Sequence, residues 1–205
     1  IRFKDDQGNP YPDWEEKRLG EIGQTYAGLS GKSKEDFGSG VPYVQYMQVF
    51  SNTKIRLEDC DFVRVAANEK QNSVLVGDAL FTTSSETPTD IGTCSVLTVS
   101  PPTPIYLNSF CFGYRLDIEA NPAFLAYLFH SPGFREKMIP LAQGSTRFNL
   151  SKSNFLKLNT TFPTLPEQQK IAEFLTGIDD KITAVANQID KAAEFKKGLL
   201  QKMFV

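Results

Sequence analysis

From residue 165 onward the apolar positions fall into a 4-3-4-3 rhythm. Ile171, Leu175, Ile178, Ile182, Val185, Ile189 and Ala192 follow it, Lys196 breaks it, and Leu199 and Met203 resume it. This spacing predicts one long helix with a single apolar stripe, and about four heptads is the length at which a coiled-coil seam becomes a serious reading. Pro166 suits the first helical turn, where its missing N–H has no partner to lose. Glu167 places negative charge at the positive end of the helix dipole. Glu173, Asp179, Asp180, Lys181, Asp190, Lys191, Glu194 and Lys197 lie between the seam positions and form a solvated face. At about 1.5 Å per residue such a helix is roughly 50–55 Å long. That exceeds the diameter of a domain this size, so part of the stripe is expected beyond the chain's own core. The alternative is an ordinary amphipathic helix lying along its own domain, and the length argues against it.

Upstream, the pattern changes to short segments. Residues 1–13 read as an irregular lead-in, and residues 14–22 as a short amphipathic turn or helix closed near Gly20 or Gly23. Residues 28–40, rich in Gly and Ser, read as a flexible loop. Residues 41–50 are aromatic and β-branched and predict a strand, as do 60–66, 73–83 (with a tight turn at Gly77-Asp78), 93–99, 110–116 and 155–162. Residues 84–92 read as a polar loop. Asn121-Pro122 predicts a helix start, with Asn121 as N-cap and Phe124, Leu125 and Leu128 on the apolar face. A second short helix is predicted at about 132–141. Many short strands, a few short helices and one long helix define the class. It is α+β: a mixed, antiparallel-rich globular unit over residues 1–164, then a coiled-coil-type helix over 165–205.

Composition narrows the function. The 205 residues, 40% of them hydrophobic, suffice for one sizeable core. The net charge of −2 gives no support to a generally basic DNA binder, so any nucleic-acid role needs a local basic surface. Cys60, Cys94 and Cys111 are odd in number and widely spaced. They indicate neither a disulfide framework nor a zinc site and suit a reducing, cytoplasmic setting. No apolar run reaches membrane-spanning length and no signal peptide is visible. A start at Ile1 rather than Met is what a fragment or a processed chain would show.

Catalytic signals are weak. His130 is the single histidine, with no nucleophile motif beside it; it reads as a partly positive ring at a helix C-terminus. Phe37-Gly38-Ser39-Gly40 resembles a methyl-donor loop with the wrong spacing. Ser100-Pro101-Pro102-Thr103 resembles an amino-methyltransferase motif without its aromatic residue. Glu15-x-Lys17 resembles a scrambled nuclease motif. No phosphate-binding glycine loop and no metal cluster is apparent, and no cofactor is implied.

Three polar loops are better candidates for binding. They contribute Lys32, Ser33 and Lys34; then Ser84, Ser85 and Thr87; then Ser145, Thr146, Arg147, Asn149 and Lys152. Hydroxyls, lysines and loop N–H groups suit phosphates, whereas Arg, Asn and Gln suit base edges. Gln45, Tyr46 and Gln48 on the expected 41–50 strand could present side chains beside them.

Three features in order carry a resemblance. They are Trp14-Glu15-Glu16-Lys17-Arg18-Leu19-Gly20-Glu21-Ile22, then Gly144-Ser145-Thr146 with Asn149-Leu150-Ser151, then Leu165-Pro166-Glu167-Gln168-Gln169-Lys170-Ile171-Ala172 and the helix ending Lys197-Gly198-Leu199-Leu200-Gln201-Lys202-Met203-Phe204. Together they resemble the specificity subunits of type I restriction–modification systems over essentially the whole chain. The resemblance implies a non-catalytic target recognition domain that reads one half of a split site in double-stranded DNA. It also implies a helix that pairs antiparallel with the equivalent helix of a second half, and docking of methyltransferase subunits that bring the restriction subunit. Family members usually carry two such units, so the chain looks like half of a full subunit or a natural half-subunit, with Val205 placed to join a start such as Ile1. Alone, it is expected to self-associate through Ile171, Leu175, Ile178, Ile182, Val185, Ile189 and Leu199. Two other classes stay open: a catalytic methyltransferase or nuclease fragment, and a helical scaffold that touches no DNA.

Overall fold

The computed structural model describes residues 2–204; the expected junction between Val205 and Ile1 lies outside the described residues. The chain runs β1 (Glu15–Arg18), α1 (Leu19–Ile22), β2 (Gly23–Ala27), β3 (Phe37–Val44), α2 (Tyr46–Ser51) and β4 (Asp61–Val63). It continues through β5 (Ala79–Thr82), β6 (Ser84–Ser85), β7 (Cys94–Val96), β8 (Tyr106–Leu107), β9 (Cys111–Leu116), α3 (Pro122–His130) and α4 (Pro132–Met138). It ends with β10 (Ala142–Gln143), β11 (Phe148–Leu150), α5 (Lys152–Phe155), β12 (Asn159–Phe162) and α6 (Leu165–Met203). The class is the expected α+β one. The sheets are β2-β9-β5-β7, β4-β3-β8, β10-β11-β6 and the pair β1-β12. Every pairing is antiparallel except β3 with β8.

β5 shows why the unit has two apolar layers. All four of its residues are buried, and side chains alternate across a strand. Ala79 and Phe81 enter the main core with Phe112, Tyr114, Phe129 and Phe155, whereas Leu80 enters a second core with Val44, Val49, Leu97, Ile105 and Leu107. The rings in the main core sit at aromatic-pair distances, 4.8 Å for Phe81–Phe155 and 5.4 Å for Phe81–Phe112. On the opposite side of β9 from Phe112, a Cβ at Gly113 would lie 2.0 Å from the Tyr26 ring, so glycine is required there. Tyr26 and Arg115 both bind the buried Asp78 carboxylate, at 2.6 Å from the Tyr26 hydroxyl and 2.6 Å from Arg115 Nη2.

Several sequence expectations are corrected. Residues 15–18 are not helical: they pair with β12, and only Leu19–Ile22 turns helically, its Leu19 N–H donating to the Leu158 carbonyl. The strand expected at 41–50 ends at Val44, and Tyr46–Ser51 is helix α2 because that turn buries Gln48 and Val49 together. Lys34–Asp36 form a 3-10 turn inside the expected 28–40 loop, and β3 already begins at Phe37. Ser84–Ser85 are a buried strand, and of the expected 155–162 strand only Asn159–Phe162 forms, Phe155 ending α5 and 156–157 making a turn. Asn121 Oδ1 accepts the Phe124 N–H at 3.0 Å and caps α3, as expected. The tight turn expected at Gly77-Asp78 is centred one residue earlier, on Val76-Gly77, closed by the Asp78 N–H donating to the Leu75 carbonyl, and of the two strands expected around it only Ala79–Thr82 forms, Val74 making a single bridge to Ile105. Helix α6 has 39 residues, or about 58 Å at the α-helical rise, slightly longer than expected.

Candidate nucleic-acid interface and helix seam

Strand pairing brings two of the three polar loops together. β6 and β11 pair with Ser84 opposite Asn149 and Ser85 opposite Phe148. The hairpin leading into β11 depends on Gly144, at φ +131°, where a Cβ would sit 2.2 Å from the Arg147 carbonyl oxygen. Arg147 Nε donates to Ser84 Oγ at 3.3 Å, and the Tyr46 hydroxyl donates to the Ser84 carbonyl at 2.8 Å. A concavity of about 330 Å³ opens here, lined by Tyr46, Met47, Phe50, Glu86, Thr87 and Arg147 among others. Of the third loop only Arg147 lines it; Ser145, Thr146 and Asn149 are exposed on the same hairpin but are not part of the lining. Lys152 is half-buried, with its ammonium 5.8 Å from the Phe112 ring centroid. Ser84 and Ser85 are buried, so these hydroxyls hold the frame: Ser85 Oγ donates to the Thr87 carbonyl at 2.5 Å.

The first loop is arranged differently. Lys32 Nζ donates to the Arg64 carbonyl at 2.6 Å and forms an ion pair with Glu69, leaving its side chain 6% exposed. The Lys32 hydrogen bond, helped by the Ala66 N–H and Gln71, pulls the Glu69 carboxyl down to about 2. Ser33 closes a capping box with Asp36, and Lys34 is exposed. Among the described residues no hydrogen bond or ion pair joins residues 30–34 to the β6–β11 concavity. The amides from 45–48 are also committed. Gln45 Nε2 donates to Asp61 Oδ2 at 3.0 Å, and the buried Gln48 donates to the Arg56 carbonyl at 3.1 Å.

Sequence reasoning missed Met47, Phe50, Glu86 and the clamp Arg135. The Arg135 guanidinium donates to the carbonyls of Thr89, Ile91 and Gly92 at 2.7–2.8 Å and thereby fixes the segment after Glu86. No local signal marks Arg135, because its acceptors lie more than forty residues upstream.

The root of α6 is locked to the globular unit by its opening residues. Glu167 is fully buried; it accepts from Arg2 Nε at 3.0 Å and from the Trp14 indole N–H at 3.0 Å. Gln168 is also buried, accepting the Asn121 N–H at 2.9 Å while donating to the Pro163 carbonyl at 2.9 Å. Beyond one turn, Ile171 packs on the main core, and Leu175 lines a cleft with Trp14, Phe124, Tyr127, Phe134 and Ile171. The Tyr127 hydroxyl donates to Asp179 Oδ2 at 2.6 Å, and Lys54 Nζ donates to Tyr127 and Thr176. After that the seam is bare: Ile182 is 62% exposed and Ile189 64%, with Ile178, Val185 and Leu199 also exposed.

The groups considered for chemistry sit otherwise than a reactive site would place them. His130 is not a charged cap: its Nε2 lies 2.6 Å from the Cys94 carbonyl, and burial pushes its pKa down, favouring the neutral ring. Burial pushes the Cys111 thiol up to about 12 and the Cys94 thiol well above its ordinary value. Among the described residues no cluster of three or more His, Cys, Asp or Glu could hold a metal ion. None of the described helices is long and apolar enough to cross a membrane.

The β6–β11 pairing thus sets two loops around one concavity, and α6 carries a bare apolar stripe away from the globular unit. Residues 11–194 match the family of type I restriction modification DNA specificity domains, and the chain belongs to that family. It is 25% identical over 199 residues to a Methanocaldococcus jannaschii protein described as the specificity subunit of the type I restriction enzyme MjaX, covering 94% of this chain and 45% of that one. The S subunit of a type I restriction–modification system from M. genitalium superposes with a TM-score of 0.61 at 15% identity, covering all of this chain and 48% of that one. A chain from a structure concerned with complex assembly and conformational transition of the type I R-M system gives 0.61 at 20% identity, covering 95% and 46%. The chain therefore spans about half the length of these relatives.

Proposed function

We propose that this chain is a DNA-sequence specificity module, without catalysis of its own, that reads one half of a bipartite duplex target. In this reading residues 1–164 form the reader and residues 165–205 the pairing helix. The helix meets the equivalent helix of a second half, in the same polypeptide or in a second copy. The assembled module docks methyltransferase subunits and, through them, the restriction subunit. Work on complex assembly of the type I R-M system concerns a chain of the same fold, which supports these partners.

The observation that carries the reading is the β6–β11 pairing. It brings two loops, remote in sequence, into one concavity with an exposed arginine, on a unit anchored to a bare-striped helix. Arginine and asparagine are the side chains that read purine edges, and exposed hydroxyls and N–H groups position phosphates. The reader's charge is close to balanced, so phosphate neutralisation by this chain alone is small. The docked subunits then supply the rest of the clamp.

Arg147→Ala is the first test, made in the assembled enzyme by gel retardation on its cognate duplex. Specific affinity should fall by about 10- to 100-fold, the weight of one good side-chain contact to a base edge, with an unchanged unfolding midpoint. Unaltered affinity and methylation would remove Arg147 from the interface.

A further inference from the structure

Within the β6–β11 concavity nearly every polar group has a partner on the protein itself. The Tyr46 hydroxyl and the Ser84 hydroxyl are used at 2.8 and 3.3 Å, and Ser85 Oγ is used by the Thr87 carbonyl. Thr87 Oγ1 is bound to Asp90 Oδ2 at 2.6 Å, so that carboxylate is engaged as well. Two ends remain open among the described residues: the Nη groups of Arg147, whose Nε alone is bonded, and the Glu86 carboxylate. Glu86 follows Ser85 and Arg147 precedes Phe148, so the two lie just past the ends of β6 and β11, one step beyond the last registered pair, and both line the concavity. Residues directly opposed on antiparallel strands approach to about 5 Å between Cβ atoms. No ion pair joins them among the described residues.

An open guanidinium fork seeks two adjacent acceptors, and an open carboxylate seeks a donor. In the major groove only a G·C pair offers that sequence: guanine presents N7 and O6, then cytosine presents its N4 amino group. A·T offers acceptor, donor, acceptor, which leaves a bidentate arginine without its second acceptor. The spacing also suits, because O6 and N4 are hydrogen-bonded to each other and lie roughly 2.9 Å apart. A carboxylate facing DNA otherwise meets only phosphate repulsion, so Glu86 is a liability unless it accepts from a base.

We infer that Arg147 and Glu86 together read one G·C pair of the half-site, Arg147 taking guanine N7 and O6 and Glu86 taking the cytosine N4 amino group. This rests on the proposed function and adds to it one base pair and the two side chains that select it.

The test uses the complete restriction–methylation complex. Methylome sequencing supplies the half-site, and cognate duplexes then carry one analogue at a time at each of its G·C pairs. 7-Deazaguanine removes N7, and N4-methylcytosine blocks the groove-facing amino hydrogen. At one pair, 7-deazaguanine should weaken the wild-type complex by about 10-fold and the Arg147→Ala complex not at all. N4-Methylcytosine at the same pair should weaken the wild type but not Glu86→Ala, and Glu86→Gln should blunt the cytosine preference while keeping the fold. A half-site without G·C pairs, or the two variants mapping to different pairs, would overturn the inference. So would a uniform loss for Arg147→Ala across all sequences with a salt slope lower by about 1, the mark of a phosphate contact. Each of those outcomes leaves the specificity function standing. Failure of the half-site to follow this module into another enzyme defeats that function instead.

Discussion

Within α6, residues 165–177 and residues 178–203 form one continuous helix in opposite surroundings. At the root, Glu167, Gln168 and Ala172 are buried and tied to Arg2, Trp14 and Asn121. Along the arm the same 4-3-4-3 stripe meets solvent, and Phe195, off the stripe, adds a further apolar side chain at 70% exposure. The same rhythm runs through both stretches, broken only at Lys196, so periodicity alone does not say what covers a stripe. The difference lies in polar residues at the start. Glu167 and Gln168 fix the direction in which the arm leaves, and the arm carries its apolar face away from the core. A contiguous exposed apolar stripe of this kind marks an interaction surface.

Charge placed in the arm should have the largest effect. Ile182→Asp with Ile189→Asp should reduce helix-mediated association by more than about 100-fold, since each places an unpaired charge in a dry seam. Sedimentation at high concentration checks this. The same variant should leave the stability of the globular unit within about 0.5 kcal/mol, as expected for exposed positions. A strict monomer in the wild type, indifferent to both substitutions, would remove self-pairing.

A change at the root should act the other way. Glu167→Ala leaves the Trp14 indole N–H without its acceptor and removes the buried carboxylate partner of Arg2, which keeps its bonds to the Tyr11 and Pro12 carbonyls. Denaturant unfolding should show a loss of about 1–3 kcal/mol, with the arm's intrinsic pairing retained. If the variant instead unfolds like the wild type, the root is not the anchor described.

The smallest effect concerns pH. Burial lowers the His130 pKa from its ordinary value of 6.5, so the unfolded chain binds the proton more readily. Stability is then full above about 6.5, falls as pH drops through the window down to the folded value, and has no further His130 dependence below it. His130→Asn should flatten that part of the stability–pH curve. A slope of the opposite sign would mean that the ring is charged in the folded state.

What could be read in the sequence was local. The α6 start, the Asn121 cap and the 75–78 turn each depend on residues within four positions of one another. What escaped depends on distant partners. Residues 15–18 become a strand only because Asn159–Phe162 arrives beside them. Glu167 looked like a dipole residue until Arg2, 165 positions away, closed on it. The aromatic run after Val44 carries strand propensity, yet it turns helical to bury Val49 in the second core. At the candidate interface the sequence marks the loop residues one by one, but not their meeting through β6 and β11, and Glu86 reads as one more residue of a polar loop until that pairing sets it beside Arg147.

In the proposed function this unit carries the identity of one half-site. Methylome sequencing of an assembled type I enzyme, before and after one of its recognition units is replaced by residues 1–164 of this chain, addresses it most directly. One half of the methylated motif should change to a new sequence while the other half stays as it was. A motif unchanged in both halves, with the hybrid still assembled and active, would contradict it.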